Sequence, residues 1–399
     1  MKINPFNPQQ PAKPNFFVGR EQEVKTFTKF LFQTMNNSPM NMSVTGDRGM
    51  GKTSLLIKFE QISRENECLT LRLSNYEGNI QNVFELSDFL IDNIQAEILS
   101  RSSLQKGLEE IKKFFSGLKA ELSVGEVSLN ISKNKIVVQE LIIRRLNTIW
   151  EKIKSDYKAI VLLIDESESL EKINSLTFLR EIFQKVQANC NYMVVLAGKL
   201  NFPEVMSETF SPLNRFFPAQ RLKPLGNNEI DKYVKERLSQ TGVTIDHQAL
   251  KIIKVKSEGH PYVFVSMCYW VFDSLTEIET NITQAVVGRC MEKIIKRLTE
   301  DFFAPMIQPL RPATKNVLLN VASKIQDLQF TFKEALKITS IKEPNKLSPY
   351  LSELVVKGVI TKISRANYKI FHYLFKEYLV NIQKMNRNVY KEYLANHLN

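Results

Sequence analysis

One stretch, SVTGDRGMGKTSLL at residues 43–56, constrains this chain more than any other. It carries Gly46, Asp47, Arg48, Gly49, Met50, Gly51, Lys52, Thr53 and Ser54, in the spacing of a phosphate-binding loop. Glycines let the backbone curl until successive N–H groups point inward at phosphate oxygens. Lys52 can reach the β- and γ-phosphates, and the Thr53 hydroxyl can ligate Mg²⁺. The flanks agree with the motif. MNMSV (40–44) is an apolar run suited to a buried strand, and SLLIKFEQIS (54–63) has apolar residues at helical spacing. The order is strand, loop, helix, and a helix N-terminus favours the same anion.

A second apolar run, AIVLLIDESESL (159–170), ends in Asp165 and Glu166. A buried strand that delivers carboxylates at its C-terminal end completes a nucleotide site. Asp165 is expected to hold Mg²⁺ through water, and Glu166 to orient or activate the attacking water. Glu168 is the competing candidate for that base. A third buried run, NYMVVLAGKLNFP (191–203), ends at Gly198 and Lys199. Strands alternating with helices imply an open, mainly parallel sheet with nucleotide at the strand C-terminal ends.

The chain has 399 residues, enough for two to four domains. No apolar run reaches the length of a membrane span, and the N-terminus lacks a signal-peptide core. Cys68, Cys190, Cys268 and Cys290 follow no metal spacing and read as reduced core thiols of a cytoplasmic protein. Net charge is +12, and residues 301–399 hold 15 basic against 7 acidic side chains. A polyanion partner at that end is the expectation; solubilising lysine is the plainer alternative.

At the N-terminus, prolines at 5, 8, 11 and 14 would line one face of a polyproline II segment, read as a tether across the next domain. AELSVGEVSLNIS (120–132) switches to a period of two around Gly125-Glu126, a hairpin inserted in the nucleotide domain. Near the C-terminus, 312–324, 331–341 and 344–358 read as three short helices, and VITKISRANYKIFH (359–372) as a two-stranded wing. That is the winged-helix order. Its third helix would present Lys346, Ser348 and Tyr350, and its wing Lys362, Arg365 and Lys369, to duplex DNA or to a protein partner.

The order FFVGRE, GDRGMGKT, LLIDE, a strand ending in a sensor position, LNRFFP, EGHPY and a winged helix resembles the AAA+-related ATPases over about 300 residues. It is most similar to archaeal and bacterial ATPases between origin-recognition initiators and STAND signalling NTPases. The resemblance implies an α/β fold, with a P-loop parallel-sheet ATPase core, a helical lid and a C-terminal winged-helix domain. The expected divisions are a tether over 1–15, a core over 16–225, a lid over 226–302, a winged helix over 303–385 and a tail over 386–399.

By the same resemblance, ATP is the nucleotide, Val18, Gly19 and Arg20 lie beside adenine, and Lys199 or Gly198 takes the first sensor position. Arg215 would reach into a neighbouring subunit's site in an ATP-dependent homo-oligomer. The lid reads Gly259-His260-Pro261 where initiators carry a sensor arginine, which implies slow hydrolysis and a switch rather than a motor. Two functions remain open: a DNA-binding switch ATPase, and a STAND-like signalling or defence ATPase that assembles a protein partner. A small-molecule kinase fits less well, because the winged helix would be unexplained.

Overall fold

The computed structural model describes residues 2–74, 83–100, 135–173, 175–341 and 343–397; the hairpin expected at 120–132 lies outside them. The chain divides into two units, one of residues 13–46 and 52–222, the other of residues 1–12, 47–51 and 223–399.

The first unit is built on a five-stranded sheet of β1 (Met42–Thr45), β2 (Leu69–Ser74), β3 (Ile160–Asp165), β4 (Tyr192–Gly198) and β5 (Ala219–Arg221). The spatial order is β2-β3-β4-β1-β5 and every pairing is parallel. Every residue of β1, β3 and β4 is buried, which is why these strands read as continuous apolar runs rather than alternating ones. Helices α1 (Glu21–Met35), α2 (Lys52–Glu65), α3 (Val83–Ser100), α4 (Lys135–Ile153), α5 (Ser175–Val186) and α6 (Phe202–Phe210) complete it. Phe27 of α1 stacks on Phe59 of α2 at 3.9 Å, holding α1 against the helix that follows the loop.

This order positions a site. β4 lies between β1 and β3, so the C-terminal ends of all three strands fall side by side. Thr45 pairs with Gly198, and Ile164 with Leu196. The chain leaves β1 toward β2 on one side and returns to β5 on the other, so the direction of winding reverses beside β1, where such sheets bind ligands.

In the second unit, α7 (Asn227–Leu238), α8 (His247–Ser257), α9 (Pro261–Asp273) and α10 (Gln284–Leu298) form a helical bundle. Two-residue strands β6 (Thr244–Ile245) and β7 (Asn281–Ile282) pair in parallel within it. Asp246 caps α8 by accepting from Ala249 N–H at 2.6 Å. Then α11 (Pro312–Lys324), α12 (Phe332–Thr339) and α13 (Pro344–Val356) precede a hairpin of β9 (Ile360–Ser364) and β10 (Asn367–Ile370), a winged helix. The turn between them is Arg365-Ala366, within the SRAN segment read as a turn. The wing has a third strand that the sequence reading lacked: β8 (Gln329–Thr331) pairs with β10, and Phe330 stacks on Tyr368. A long helix, α14 (Tyr373–His397), follows.

The proline segment departs from expectation. Pro8 and Gln9 sit in a turn, because Asn7 Oδ1 accepts from Gln9 N–H at 3.0 Å, and Pro14 opens a 3₁₀ turn. Its first twelve residues group with residues 223–399 rather than with the adjoining core. All four cysteines are buried and free, and burial pushes the Cys68 thiol up to about 12 and Cys190 up to about 11. Among the described residues no helix is long and apolar enough to cross a membrane.

Candidate functional site

In the core, Gly46 follows β1 and its N–H donates to the Gly198 carbonyl at 3.4 Å. Lys52 opens α2 and its ammonium donates back to the Gly46 carbonyl at 2.8 Å, across the base of the loop. Thr53 is next, and its hydroxyl donates to Asp165 Oδ2 at 2.6 Å. Asp165 ends β3 and is 5% exposed. A hydroxyl and a carboxylate from separate elements therefore meet at one point. This hard, all-oxygen donor pair fits Mg²⁺, which keeps waters and shares its shell with phosphates. Among the described residues no cluster of His, Cys, Asp and Glu could cage a metal by itself.

Glu166 adopts φ +52°, a left-handed conformation for a residue with a Cβ, and its N–H donates to Asp165 Oδ1 at 3.0 Å. Its carbonyl accepts from Ser169 N–H at 3.1 Å and from the Ser169 hydroxyl at 2.7 Å, which holds this strained turn. Burial raises the Glu166 carboxyl above its ordinary range, helped by the Asp165 and Glu168 carboxylates; Lys199 and Lys52 pull the other way. Lys199 lies 3.6 Å from Glu168 Oε1, so the lysine that follows β4 is ion-paired to the competing carboxylate.

Ser54 is half-buried on α2, and Val18 is half-buried before Gly19 (φ +74°) and Arg20 (φ +70°). Two successive left-handed residues turn the chain into α1. Arg20 is 7% exposed with Glu23 at 3.9 Å. Arg215 is exposed on a single helical turn, Leu213–Phe216, and its N–H donates to Pro212 O.

The tip of the loop, Asp47 to Gly51, groups with the second unit. Met50 N–H donates to Asp47 O at 3.3 Å, and Gly49 and Gly51 sit at φ +77° and +86°. His260 Nε2 lies 3.0 Å from the Arg48 carbonyl, and Tyr262 N–H donates to the Gly49 carbonyl at 3.2 Å. The Arg48 guanidinium lies 5.6 Å from the Phe302 ring centre, and Phe302 stacks on Tyr262 at 4.3 Å. A Cβ at Gly49 would sit 2.8 Å from both His260 Cε1 and Tyr262 Cβ. Glycine is thus required there by the clasp as well as by φ.

The lid motif is built locally. Glu258 and Gly259 are left-handed, ending α8, and Leu225 N–H donates to Gly259 O at 2.8 Å. A Cβ at Gly259 would come within 2.4 Å of Leu225 O. Pro261 starts α9, where its missing N–H costs nothing, and His260 caps the helix through Nδ1. The sequence located His260 and Pro261 but not the Arg48–His260 contact, whose partners are 212 residues apart.

On the winged helix, Lys346 and Ser348 are exposed on α13 and Tyr350 is half-buried; Lys346 pairs with Glu343 at 2.7 Å. Lys362 and Arg365 are exposed on the wing and Lys369 is half-buried.

Comparison with known proteins agrees with this arrangement. Residues 17–195 match the AAA ATPase domain family. An uncharacterized HTH-type transcriptional regulator of Methanocaldococcus jannaschii is 22% identical over 393 residues, covering 94% of this chain and 91% of that protein. A Walker-type ATPase of Pyrococcus abyssi superposes with TM-score 0.61 at 17% identity, covering 94% of this chain and 99% of its own. The ORC2 protein of Aeropyrum pernix, in its ADPNP–ADP complexes, superposes with TM-score 0.59 at 11% identity, covering 97% and 99%. Residues 17–195 carry an AAA ATPase domain, and the chain is similar in fold to the Walker-type ATPase and to the archaeal ORC2 protein.

Proposed function

We propose that this protein is an ATP-binding, slowly hydrolysing switch ATPase of the cytoplasm that assembles with ATP and binds duplex DNA through its winged helix. The observation that carries the reading is the 2.6 Å contact between Thr53 Oγ1 and Asp165 Oδ2, which brings the two motifs together.

In this reading the loop N–H groups and Lys52 hold the phosphates, and Thr53 and Asp165 would hold Mg²⁺. When bound, the ion would supply neutralisation of the phosphate charge. Glu166 orients the attacking water and accepts its proton. Lys199 and exposed Arg215 are the cations available to the γ-phosphate, the latter toward a neighbouring subunit. Val18, Gly19 and Arg20 line the adenine side.

Slow turnover rests on His260. Val263 N–H donates to its Nδ1 at 3.4 Å, so the ring proton sits on Nε2 and is given to the Arg48 carbonyl. Both ring nitrogens are engaged, and the lid motif offers a histidine where initiators place an arginine.

DNA binding is supported by the winged-helix order, the exposed Lys362 and Arg365, and the basic C-terminal quarter. The HTH-type relative points the same way. The test is equilibrium binding of fluorescent ATP and ADP with and without Mg²⁺, followed by single-turnover hydrolysis. Mg²⁺-dependent tight binding with slow turnover is expected; absence of nucleotide binding would overturn the reading.

A further inference from the structure

We propose that the helical unit carries a peptide groove whose resident ligand is the chain's own segment 2–6, and that this docked segment is a further tether on the bundle. Contacts alternate along the segment. Lys2, Asn4 and Phe6 engage the bundle, while Ile3 between them is 88% exposed. Phe6 is 2% exposed, with ring centres of Tyr233 and Phe272 at 6.1 and 6.3 Å. Asn4 acts twice: its amide donates to the Tyr269 carbonyl at 2.9 Å, and its Oδ1 accepts from Phe6 N–H at 3.0 Å. The Lys2 ammonium donates to the carbonyls of Thr276 (3.2 Å) and Glu279.

The receptor is organised independently of the segment. Glu279 accepts from Thr276 N–H at 2.8 Å and from its hydroxyl at 3.0 Å, and Arg289 forks onto both carboxylate oxygens at 2.9 and 2.7 Å. Arg289 also donates to Ser274 O at 3.1 Å. This bracing turns two loop carbonyls into an ammonium seat beside an aromatic slot. The ligand it fits is an extended Lys-x-Asn-x-Phe peptide.

Among residues 2–12, Phe6 is the one buried side chain, so attachment is concentrated at residues 2–6. Residues 7–12 then lead to Lys13, where the other unit begins. The chain thereby passes from the bundle's unit to the other at 12–13, in addition to the crossings at 46–47, 51–52 and 222–223. An added attachment narrows the range over which a tethered unit moves, and such motions govern product release in many enzymes. This last step rests on the nucleotide reading above.

The test has two arms. In the first, a chain lacking residues 2–7 is titrated with a labelled peptide of residues 1–12. Saturable binding to the shortened chain, no binding to the intact chain, and loss of binding when the peptide carries Phe6→Ala or Asn4→Ala are expected. A peptide that ignores the shortened chain, or that binds the intact chain equally, overturns the groove. In the second, ADP release is timed in the intact chain and in Phe6→Ala and Asn4→Ala variants, with Ile3→Ala as control. Release several-fold faster in the first two variants supports the tether, and unchanged release overturns it. If the intact chain bound no nucleotide, the functional reading would fall and the peptide arm would still decide the groove.

Discussion

His260 Nε2 donates to the carbonyl oxygen of Arg48 at 3.0 Å, a side chain of the lid motif held by the backbone of the phosphate-binding loop. The same ring caps α9 through Nδ1. Replacing His260 with alanine removes a cap and a buried hydrogen bond, a loss of about 1–3 kcal/mol. Gly49→Ala should cost at least as much, since its Cβ would meet His260 and Tyr262 at 2.8 Å and its φ is +77°. Urea unfolding of both variants checks this, and midpoints equal to wild type would contradict the clasp.

Lys52→Ala is expected to abolish nucleotide binding. Thr53→Ala should bind ATP equally with Mg²⁺ and with EDTA, because half of the 2.6 Å oxygen pair is gone. Glu166→Gln should bind ATP as wild type does and turn over about 10²–10⁴-fold more slowly. Wild-type turnover in that variant would move the base elsewhere, with Glu168 next to test.

The basic side chains of the winged helix should differ in their effect on DNA. Lys362 and Arg365 are exposed, whereas Lys346 already has Glu343 at 2.7 Å. Reversing Lys362 and Arg365 together should reduce the slope of log affinity against log salt by about two. Lys346→Ala should change it less. Slopes ranked the opposite way would put the phosphate contacts on α13 rather than on the wing.

Acid should weaken the winged helix through Glu353. This carboxylate accepts from Arg311 Nε at 2.7 Å and from the Thr314 hydroxyl at 2.6 Å, and these partners hold it down to about 2. A depressed folded-state pKa gives stability that is complete above the ordinary carboxylate range and is lost as pH falls toward 2. Glu353→Gln should therefore lower the melting temperature at neutral pH and converge on wild type in acid. A difference that persists at pH 2 would contradict this source.

Much of the candidate nucleotide site was legible because its residues are close in sequence. Gly46 to Thr53 is one run, and Asp165-Glu166 ends an apolar strand whose burial is written in its composition. The sheet order that sets β4 between β1 and β3 was not legible, since parallel pairing leaves no local trace. Long-range contacts were equally silent. Asn4 meets Tyr269 across 265 residues, and no periodicity in KINPF announces a groove. The proline spacing misled because Asn7 closes a turn at Pro8, a local hydrogen bond that outweighs the regular repeat. In the wing, three residues at 329–331 were too short a strand to read without their partner β10.

The most direct test of the central claim is duplex DNA binding by fluorescence anisotropy with ATP, with ADP and without nucleotide, across a salt series. The account predicts binding that ATP strengthens and that weakens steeply as salt rises. Absence of binding in every nucleotide state would contradict it and make the winged helix a protein-contact module.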